Sequence, residues 1–392
     1  MADAQDTVNA PPLALYIHIP WCVRKCPYCD FNSHTAPGGL PERDYVAAVL
    51  ADLDLDLRDY SAALANRSII SVFFGGGTPS LFSPAAIAAL LDGVRLRLHL
   101  AASAEITLET NPGTVEHGRF EDYRHAGINR LSLGVQSFDD DKLVRLGRIH
   151  SSAEVRTVIA LARDAGYDNI NLDLMYALPQ QDLAGALADI DTAIALAPSH
   201  ISHYQLTLEP NTAFARTPPP LPDDDLAWDM QEACQQRLAA AGFEHYETSA
   251  YARAGRRSVH NINYWQFGDY LGIGAGAHGK LTDAATGTQR RRWKVRAPKA
   301  YLSHAGSARG IGADEVIAAE QLPFEFMLNA LRLEQGFPRS LFTARTGLTE
   351  ARMDAALDQA QRRGWLTLTA DWVRPTDLGK RFLNDTIALF LP

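Results

Sequence analysis

The sequence predicts an α/β protein: a partial (β/α)6 barrel followed by a mainly α-helical, winged-helix-like C-terminal domain. Three observations lead to this fold class. Six short β-rich runs alternate with longer helical segments up to residue 206, glycine or polar groups follow the first five runs, and helices with one hairpin fill the last part of the chain. Short apolar runs that alternate with helical patterns are typical of βα units and a parallel sheet.

The six β-rich runs are short and mostly apolar. They occupy residues 13–19, 68–74, 105–109, 128–135, 169–175 and 200–206. A closed barrel of this type needs eight strands, so six units indicate an open barrel.

Changes of rhythm along the chain predict four parts. They are a disordered N-terminal tail (1–12), the barrel (13–215), a connecting region (216–310) and a C-terminal helical domain (311–392). The proline-rich stretch after the barrel indicates a stiff connection. In the last part, residues 365–376 predict a hairpin with Ala370-Asp371 at its turn. We interpret this domain as a cap or a partner-docking module.

The composition is that of a soluble globular protein with a net charge of −9. Nucleic-acid binding needs clustered Lys and Arg, so we expect no nucleic-acid partner. The one basic run, Arg290-Arg291-Arg292 with Lys294 and Arg296, predicts a solvated strand or loop face. The alternative is a patch for anionic groups such as propionates or lipid headgroups.

The N-terminal segment lacks the apolar stretch of a signal peptide, and no run is long enough to span a membrane. We therefore expect a cytoplasmic protein. Of the four cysteines, three lie within eight residues, which in a reducing compartment indicates metal binding rather than disulfides. Cys234 lies in a helical run and is expected to be an inert thiol.

The three clustered cysteines, Cys22, Cys26 and Cys29, form a C-x3-C-x2-C loop directly after the first strand. Thiolates suit iron–sulfur clusters, and three of them can hold three corners of a cubane. The fourth iron then has no protein ligand and can bind substrate. The alternatives are a zinc site with His34 as a further ligand, or fortuitous surface thiols; zinc sites usually contain a second ligand pair, which this sequence lacks.

The loops after the first five β-rich runs carry glycine, cysteine or polar groups. After the cysteine loop these are Gly75-Gly76-Gly77-Thr78-Pro79, Glu109-Thr110-Asn111-Pro112-Gly113, Gln136 and Asp173. In βα barrels the carboxyl ends of the strands converge on the active site. We therefore expect these groups to meet in one place.

With its cysteine loop after the first strand and its Gly75–Pro79 stretch after the second, the chain resembles the radical-SAM family. In that family the open iron of a [4Fe-4S] cluster is chelated by the amino and carboxylate groups of S-adenosylmethionine. Reduction can then cleave the sulfonium to a 5′-deoxyadenosyl radical. The resemblance implies that the glycine backbone meets the methionine amino end.

The segments YIHIPWCVRKCPYCDFNSH, TLETNPGT, INRLSLGVQSF, NLDLMYALP and HNINYWQFGDYLGIGAGAHG are similar to the coproporphyrinogen-dehydrogenase-like branch, and most of all to its heme-chaperone members. The resemblance covers nearly the whole chain. It implies a set of S-adenosylmethionine contacts: Tyr16, Tyr28, Gly76, Gly77, Thr78, Glu109, Gln136, Arg148 and Asp173. Acids can bind the ammonium or ribose hydroxyls, and an arginine can pair with the methionine carboxylate.

Each of these polar residues also has a structural interpretation. Glu109 and Asp173 could cap helices, Gln136 could satisfy backbone groups, and Arg148 could form a surface ion pair.

Two sequence features distinguish the dehydrogenases of this branch from its heme-chaperone members. The dehydrogenases carry a further cysteine two residues after the third, where this chain has Phe31. The heme-chaperone members carry H-N-x-x-Y-W, which residues 260–265 match. The resemblance therefore implies His260 as a heme ligand, since a neutral imidazole can ligate heme iron. His278 is a second candidate, and Ala275 stands where some relatives have cysteine.

The sequence thus favours a heme chaperone that binds heme, a [4Fe-4S] cluster and S-adenosylmethionine. Its expected partners are heme and heme-accepting respiratory proteins, with transient contact to a membrane during delivery. The alternative is an oxygen-independent coproporphyrinogen III dehydrogenase or another radical-SAM enzyme that modifies tetrapyrroles. We do not expect the dehydrogenase activity, because Phe31 replaces its cysteine.

Overall fold

The structure is a computed structural model that describes residues 10–36, 38–114 and 119–392. Most of the predicted N-terminal tail, residues 1–9, lies outside the described residues. The last residues of this tail are hydrogen-bonded to the rest of the protein: the Arg67 guanidinium donates to the Pro11 carbonyl. The Asp269 N–H donates to the Pro12 carbonyl at 2.9 Å.

The strands and the helices of the described residues are each numbered in chain order. The strands are β1 (Leu13–Ile19), β2 (Trp21–Cys22), β3 (His34–Thr35), β4 (Ser68–Gly76), β5 (His99–Thr110), β6 (Arg130–Gln136), β7 (Ile170–Tyr176), β8 (His200–Gln205), β9 (Glu244–Glu247), β10 (Ala250–Ala252), β11 (Asp269–Ile273), β12 (His278–Asp283), β13 (Thr288–Lys294), β14 (Ile311–Val316), β15 (Phe337–Pro338), β16 (Leu366–Leu368) and β17 (Trp372–Pro375). The helices are α1 (Glu42–Asp59), α2 (Ser61–Leu64), α3 (Pro84–Arg95), α4 (Arg119–Ala126), α5 (Asp140–Arg145), α6 (Ser152–Asp164), α7 (Leu183–Ala195), α8 (Ala213–Arg216), α9 (Asp224–Ala240), α10 (Val259–Trp265), α11 (Pro298–His304), α12 (Leu322–Ala330), α13 (Arg339–Thr346), α14 (Ala351–Arg362), α15 (Asp377–Arg381) and α16 (Leu383–Ala388).

One 12-stranded sheet organises most of the molecule, in the order β14-β13-β12-β11-β1-β4-β5-β6-β7-β8-β10-β9. Its centre, from β1 and β4 to β8, is parallel and consists of the strands expected from the six β-rich runs. The sequence did not predict β11, which pairs in parallel with the free side of β1. The predicted connecting region therefore extends the same sheet through β11, β12 and β13. The four predicted domain boundaries stay predictions.

The central parallel strands are largely buried, and in β6 and β7 buried polar side chains such as Arg130 and Asn171 alternate with apolar ones. In β1 every residue but Tyr16 is buried, which matches a near-continuous apolar run. Three of the crossover helices begin at side-chain caps: Ser83 caps α3, Asp182 caps α7, and α6 has a capping box formed by Ser151 and Glu154. Local sequence signals thus fix where these three helices begin, and hence the length of the loops that lead to them from the carboxyl ends of the strands.

The C-terminal part has its own apolar core, formed by α12, α13, α14 and α16 around residues such as Phe326, Phe342 and Met353. A small sheet in the order β15-β17-β16 lies beside these helices. The predicted hairpin is present as β16 and β17. The last helical run is broken at Phe382 into α15 and α16.

Among the residues that the structure describes, no helix combines the length and the apolar character that crossing a bilayer requires.

The prediction of a solvated face for the basic run is wrong for Arg292 and Lys294, which are buried, while Arg290 and Arg291 are half-buried and paired. Lys294 is 1% exposed and its Nζ lies 2.6 Å from Asp52 Oδ1 and 2.7 Å from Asp56 Oδ1. Arg292 is also buried and donates to Asp56 at 2.8 Å. Arg290 and Arg291 pair with Asp314 and Glu325. These pairs join β13 to α1, to β14 and to α12.

We predict that Lys294→Met destabilises the protein by about 3–5 kcal/mol, because the two buried carboxylates then lose their ammonium partner. The urea midpoint of the cluster-free protein measures this change. Arg237→Met is the matched control, since Arg237 pairs with Asp191 on an exposed face and should shift the midpoint little. Equal shifts in the two variants would contradict a structural role for the buried group.

Candidate functional site

The cysteine loop leaves β1 and closes on itself through backbone hydrogen bonds. The short strands β2 and β3 pair in parallel, which returns the chain to the start of the loop. The Cys29 N–H donates to the Cys26 carbonyl at 3.2 Å, and this turn sets the spacing of the last two cysteines. Lys25 Nζ donates to the carbonyls of Phe31 and Ser33, so this cation braces the loop.

Each of the three thiols has a polar neighbour. Arg148 Nη1 lies 3.6 Å from Cys26 Sγ, and Ser33 Oγ lies 3.6 Å from Cys29 Sγ. Burial raises the pKa of the Cys22 thiol, although hydrogen bonds from Thr78 and Ser33 act against it. A bound metal favours the thiolate over the thiol, which offsets this cost of burial.

Within residues 10–36, 38–114 and 119–392, no three His, Cys, Asp or Glu side chains are grouped so that they could hold one metal ion. The zinc alternative would need its ligands to meet at a single centre. His34, the proposed zinc ligand, has its Nε2 3.2 Å from Asn32 Oδ1. A cubane cluster does not require its three thiolates to meet at one metal ion, because each thiolate binds a different iron.

The glycine loop after β4 packs directly against the cysteine loop. The N–H of Gly77 donates to the Ile19 carbonyl at 2.8 Å, and the N–H of Thr78 donates to the Trp21 carbonyl at 2.7 Å. A Cβ at position 77 would lie 2.6 Å from the Trp21 carbonyl oxygen. Gly76 has a φ of +114°, a conformation that side chains disfavour. Only glycine therefore allows the two loops to approach this closely.

Two carboxylates enter the same space from β5 and β7. The N–H of Gly76 donates to Glu109 Oε2 at 3.1 Å, and Asp173 accepts from Ser132 Oγ and Asn171 Nδ2. Neither carboxylate caps a helix among the described residues. Burial, reinforced by the nearby Asp173, raises the pKa of Glu109 to about 8. Burial also raises the pKa of Asp173 against its hydrogen bonds. The pair therefore favours a ligand that brings positive charge or hydroxyl donors.

Arg148 supplies the opposite charge. Its Nη2 donates to the Gly134 carbonyl at 2.7 Å, and its buried Nε has no hydrogen-bond partner. It pairs with no carboxylate among the described residues, so the surface ion-pair alternative is wrong. Beside it, Gln136 has a φ of +70° and its Oε1 accepts from Tyr204 Oη at 2.9 Å. An arginine without an acid partner fits a carboxylate ligand such as that of a methionine group.

These groups line one cavity of about 520 Å³, which we call the first cavity. It contains the three loop cysteines and every predicted S-adenosylmethionine contact except Tyr16. The predicted residues that line it are Cys22, Cys26, Cys29, Tyr28, Gly76, Gly77, Thr78, Glu109, Gln136, Arg148 and Asp173. Sequence reasoning missed Ser132, Ser202 and Tyr204, and the strand-end argument that found Gln136 would have found Tyr204 if applied to the sixth run.

Tyr16 instead lines a neighbouring cavity of about 570 Å³, which we call the second cavity. Its Oη lies 2.8 Å from His18 Nδ1. The two cavities share Phe31, Gly76, Glu109 and Trp265 as a common wall. The role of Tyr16 as an S-adenosylmethionine contact stays a prediction.

His260 lies in α10 and lines neither cavity. Its Nδ1 lies 3.1 Å from Glu105 Oε1 and 2.9 Å from Ser258 Oγ, and its ring lies 4.2 Å from that of Phe73. Glu105 also accepts from the N–H of Val259, which anchors the start of α10 to β5. Ligation of heme by His260 stays a prediction, and it requires the buried Nε2 side of the ring to be uncovered.

We predict that Glu109→Gln stabilises the protein without bound S-adenosylmethionine at alkaline pH. The pKa of Glu109 rises from an ordinary 4.5 to about 8 on folding. Its protonation therefore stabilises the folded state fully below pH 4.5, and this contribution is lost as the pH rises through 8. Glutamine keeps the Gly76 hydrogen bond without the charge. The urea midpoint of the variant should exceed that of the wild type at about pH 9 and approach it at about pH 5.

Glu320→Gln is the control for this prediction, because Glu320 is exposed. A Glu109→Gln advantage that is the same at both pH values would contradict the assigned protonation.

Comparison with known proteins agrees with this geometry. Residues 16–192 match the radical SAM superfamily, and residues 317–382 match the HemN C-terminal domain. A solved structure of the coproporphyrinogen III oxidase HemN from Escherichia coli has a TM-score of 0.81 at 20% identity, covering 98% of this chain and 91% of that chain. The fold class predicted from the sequence is thereby confirmed.

Two relatives are similar over nearly their whole length. The heme chaperone HemW of Escherichia coli is 52% identical over 98% of this chain and 99% of that protein. The heme chaperone HemW of Haemophilus influenzae is 50% identical over 97% of this chain and 98% of that protein. The chain belongs to the HemW family of the radical SAM superfamily, whose cofactors are a [4Fe-4S] cluster and S-adenosylmethionine.

Proposed function

We propose that the protein is a heme chaperone that takes up heme and delivers it to respiratory acceptor proteins from the cytoplasm, with transient contact to the membrane. The observation that carries this proposal is Phe31. It stands where the dehydrogenases of this branch have a further cysteine, and its side chain is 62% exposed between the two cavities. The full-length similarity to proteins named heme chaperones supports the same function.

The first cavity would hold both cofactors. Cys22, Cys26 and Cys29 are the proposed ligands of the cluster, which supplies one-electron chemistry when it is bound. Arg148 is placed to bind a carboxylate, and the carboxylates of Glu109 and Asp173 are placed to bind an ammonium group or hydroxyls. Tyr28 lies between the last two cysteines and packs near Phe214, so that it covers the loop.

The proposed heme ligand from the sequence is His260. Its Nδ1 contact with Glu105 resembles the second hydrogen bond that orients most histidine ligands of metals. The same motif contributes Tyr264 and Trp265 to the wall of the second cavity.

An oxygen-independent coproporphyrinogen III dehydrogenase is the alternative function. The cofactor residues of the first cavity are compatible with it as well as with a chaperone, and the HemN structure shares the fold. Phe31 argues against it, because the additional cysteine of the dehydrogenases is absent.

We predict that Cys26→Ser abolishes the broad brown absorbance of the anaerobically reconstituted cluster, because one corner of the cubane loses its thiolate. Iron and sulfide content, measured on the same sample, should fall with the colour. Cys234→Ala is the control, since Cys234 is buried in α9 far along the chain and should leave both unchanged. Full iron content in Cys26→Ser would show that the ligand assignment is wrong.

We also predict that the reconstituted wild-type protein binds hemin at one equivalent, seen as a saturable Soret band. With coproporphyrinogen III, S-adenosylmethionine and a reductant it should form no protoporphyrinogen IX. Product analysis by chromatography tests the second statement, with a dehydrogenase as the positive control. Formation of protoporphyrinogen IX would contradict the chaperone proposal.

A further inference from the structure

The second cavity has the walls that a flat aromatic ligand requires. Tyr264 and Trp265 come from α10, Tyr270 from β11, and Phe31 from the cysteine loop. Its volume of about 570 Å³ lies within the range of small-molecule and cofactor sites. Aromatic side chains stack on or edge against a planar π-system, and a porphyrin offers such a surface on both faces.

Two histidines line this cavity, and only one has free ring nitrogens. His18 is buried with its Nδ1 2.8 Å from Tyr16 Oη and its Nε2 2.9 Å from the Asn32 carbonyl. His278 is exposed and stacks on Trp293 at 5.6 Å between ring centroids. Its imidazole makes no hydrogen bond to any residue in the described part of the chain. Burial and the nearby Arg296 and Arg291 lower its pKa, which favours the neutral form that ligates metals.

The same cavity has one cation without an acidic partner. Arg296 is the exposed last member of the basic run, and the other members pair with the carboxylates of Asp52, Asp56, Asp314 and Glu325. No ion pair of Arg296 occurs among the described residues. The N–H of Gly276 donates to the Val295 carbonyl at 2.9 Å, which holds the segments of His278 and Arg296 side by side.

We propose that heme binds in the second cavity, with His278 as the axial ligand of its iron and Arg296 paired with a propionate. The inference rests on the proposed function and specifies its site. An imidazole ligand, an aromatic enclosure and a guanidinium for a carboxylate are the three groups that heme needs. His260 is then a positioning residue. Its contact with Glu105 holds α10 in place, and α10 carries Tyr264 and Trp265.

The proposed heme site shares a wall with the first cavity. Phe31, Gly76, Glu109 and Trp265 contact both spaces, so heme would lie next to the proposed S-adenosylmethionine site. Phe31 is therefore a wall of the heme site as well as the residue that replaces the dehydrogenase cysteine.

Hemin titration of the anaerobically reconstituted full-length protein tests the axial ligand. We expect His278→Ala to bind hemin at least tenfold more weakly with a shifted Soret band, and added imidazole to restore the wild-type spectrum. His125→Ala, on the exposed face of α4, is the matched control and should titrate like the wild type. Cluster absorbance and far-UV circular dichroism verify that each variant is folded.

His278→Cys provides a gain of signal that does not depend on lost affinity. It should give the electron paramagnetic resonance and Soret signature of a ferric thiolate, because residue 278 would lie at the iron. A wild-type spectrum and affinity in both His278 variants would overturn the proposal. Loss of the histidine signature in His260→Ala alone would also overturn it, in favour of His260.

Arg296 is tested with two porphyrins. Arg296→Ala should weaken the binding of hemin but not that of hemin dimethyl ester, and Arg296→Lys should retain most of the affinity for hemin. An equal effect on both porphyrins would overturn the propionate contact. Failure of the wild type to bind hemin at all would reject the proposed function itself, whereas binding that ignores His278 and Arg296 rejects only this site.

Discussion

The close backbone contact between the cysteine loop and the glycine loop is the constraint on which the rest of the site depends. Two hydrogen bonds, from Gly77 and Thr78 to the carbonyls of Ile19 and Trp21, join the loops that follow β1 and β4. Because β1 and β4 are adjacent parallel strands, their carboxyl ends already lie side by side. The absence of a side chain at Gly77 converts this proximity into contact. The thiols thus face the same space as the groups on β5, β6 and β7.

A second contact organises the other side of that space. Glu105 lies in β5, the strand that ends in Glu109, and it holds the start of α10 through His260 and Val259. Arg130 of β6 lies 3.7 Å from the same carboxylate and balances its charge. Coulombic attraction to Arg130 and the bond to His260 lower the pKa of Glu105 to about 2, against the effect of burial. Strand β5 therefore carries two carboxylates with different roles. Glu109 lines both cavities, and Glu105 holds the start of α10.

Much of this arrangement could be predicted from the sequence, because it depends on local signals. The six strands are apolar runs of the right length, and the site residues follow them at positions that a parallel sheet brings together. The family resemblance grouped Tyr16 with residues that line the first cavity, but Tyr16 lines the second cavity and its ring stacks on Phe73 at 6.2 Å between centroids. Sequence cannot reveal such a choice without the neighbouring strand.

The remaining differences come from contacts between distant segments. The glycine-rich run that became β11 is too short and too poor in branched residues to predict a strand, and only its pairing with β1 makes it one. The burial of Lys294 and Arg292 likewise depends on carboxylates in α1, more than 200 residues earlier. The sequence suggested that these basic residues are exposed to solvent, because a run of charges does not show which distant carboxylates it pairs with.

The pairing of β1 with β11 has a consequence for biosynthesis. Strand β1 has two neighbours in the sheet, β4 and β11, and β11 is encoded more than 200 residues after β1. Until that segment emerges, β1 presents an open edge of unpaired backbone groups, which is a template for association with other chains. Completion of the site therefore waits for β11, and the cysteine loop is synthesised more than 200 residues before that strand.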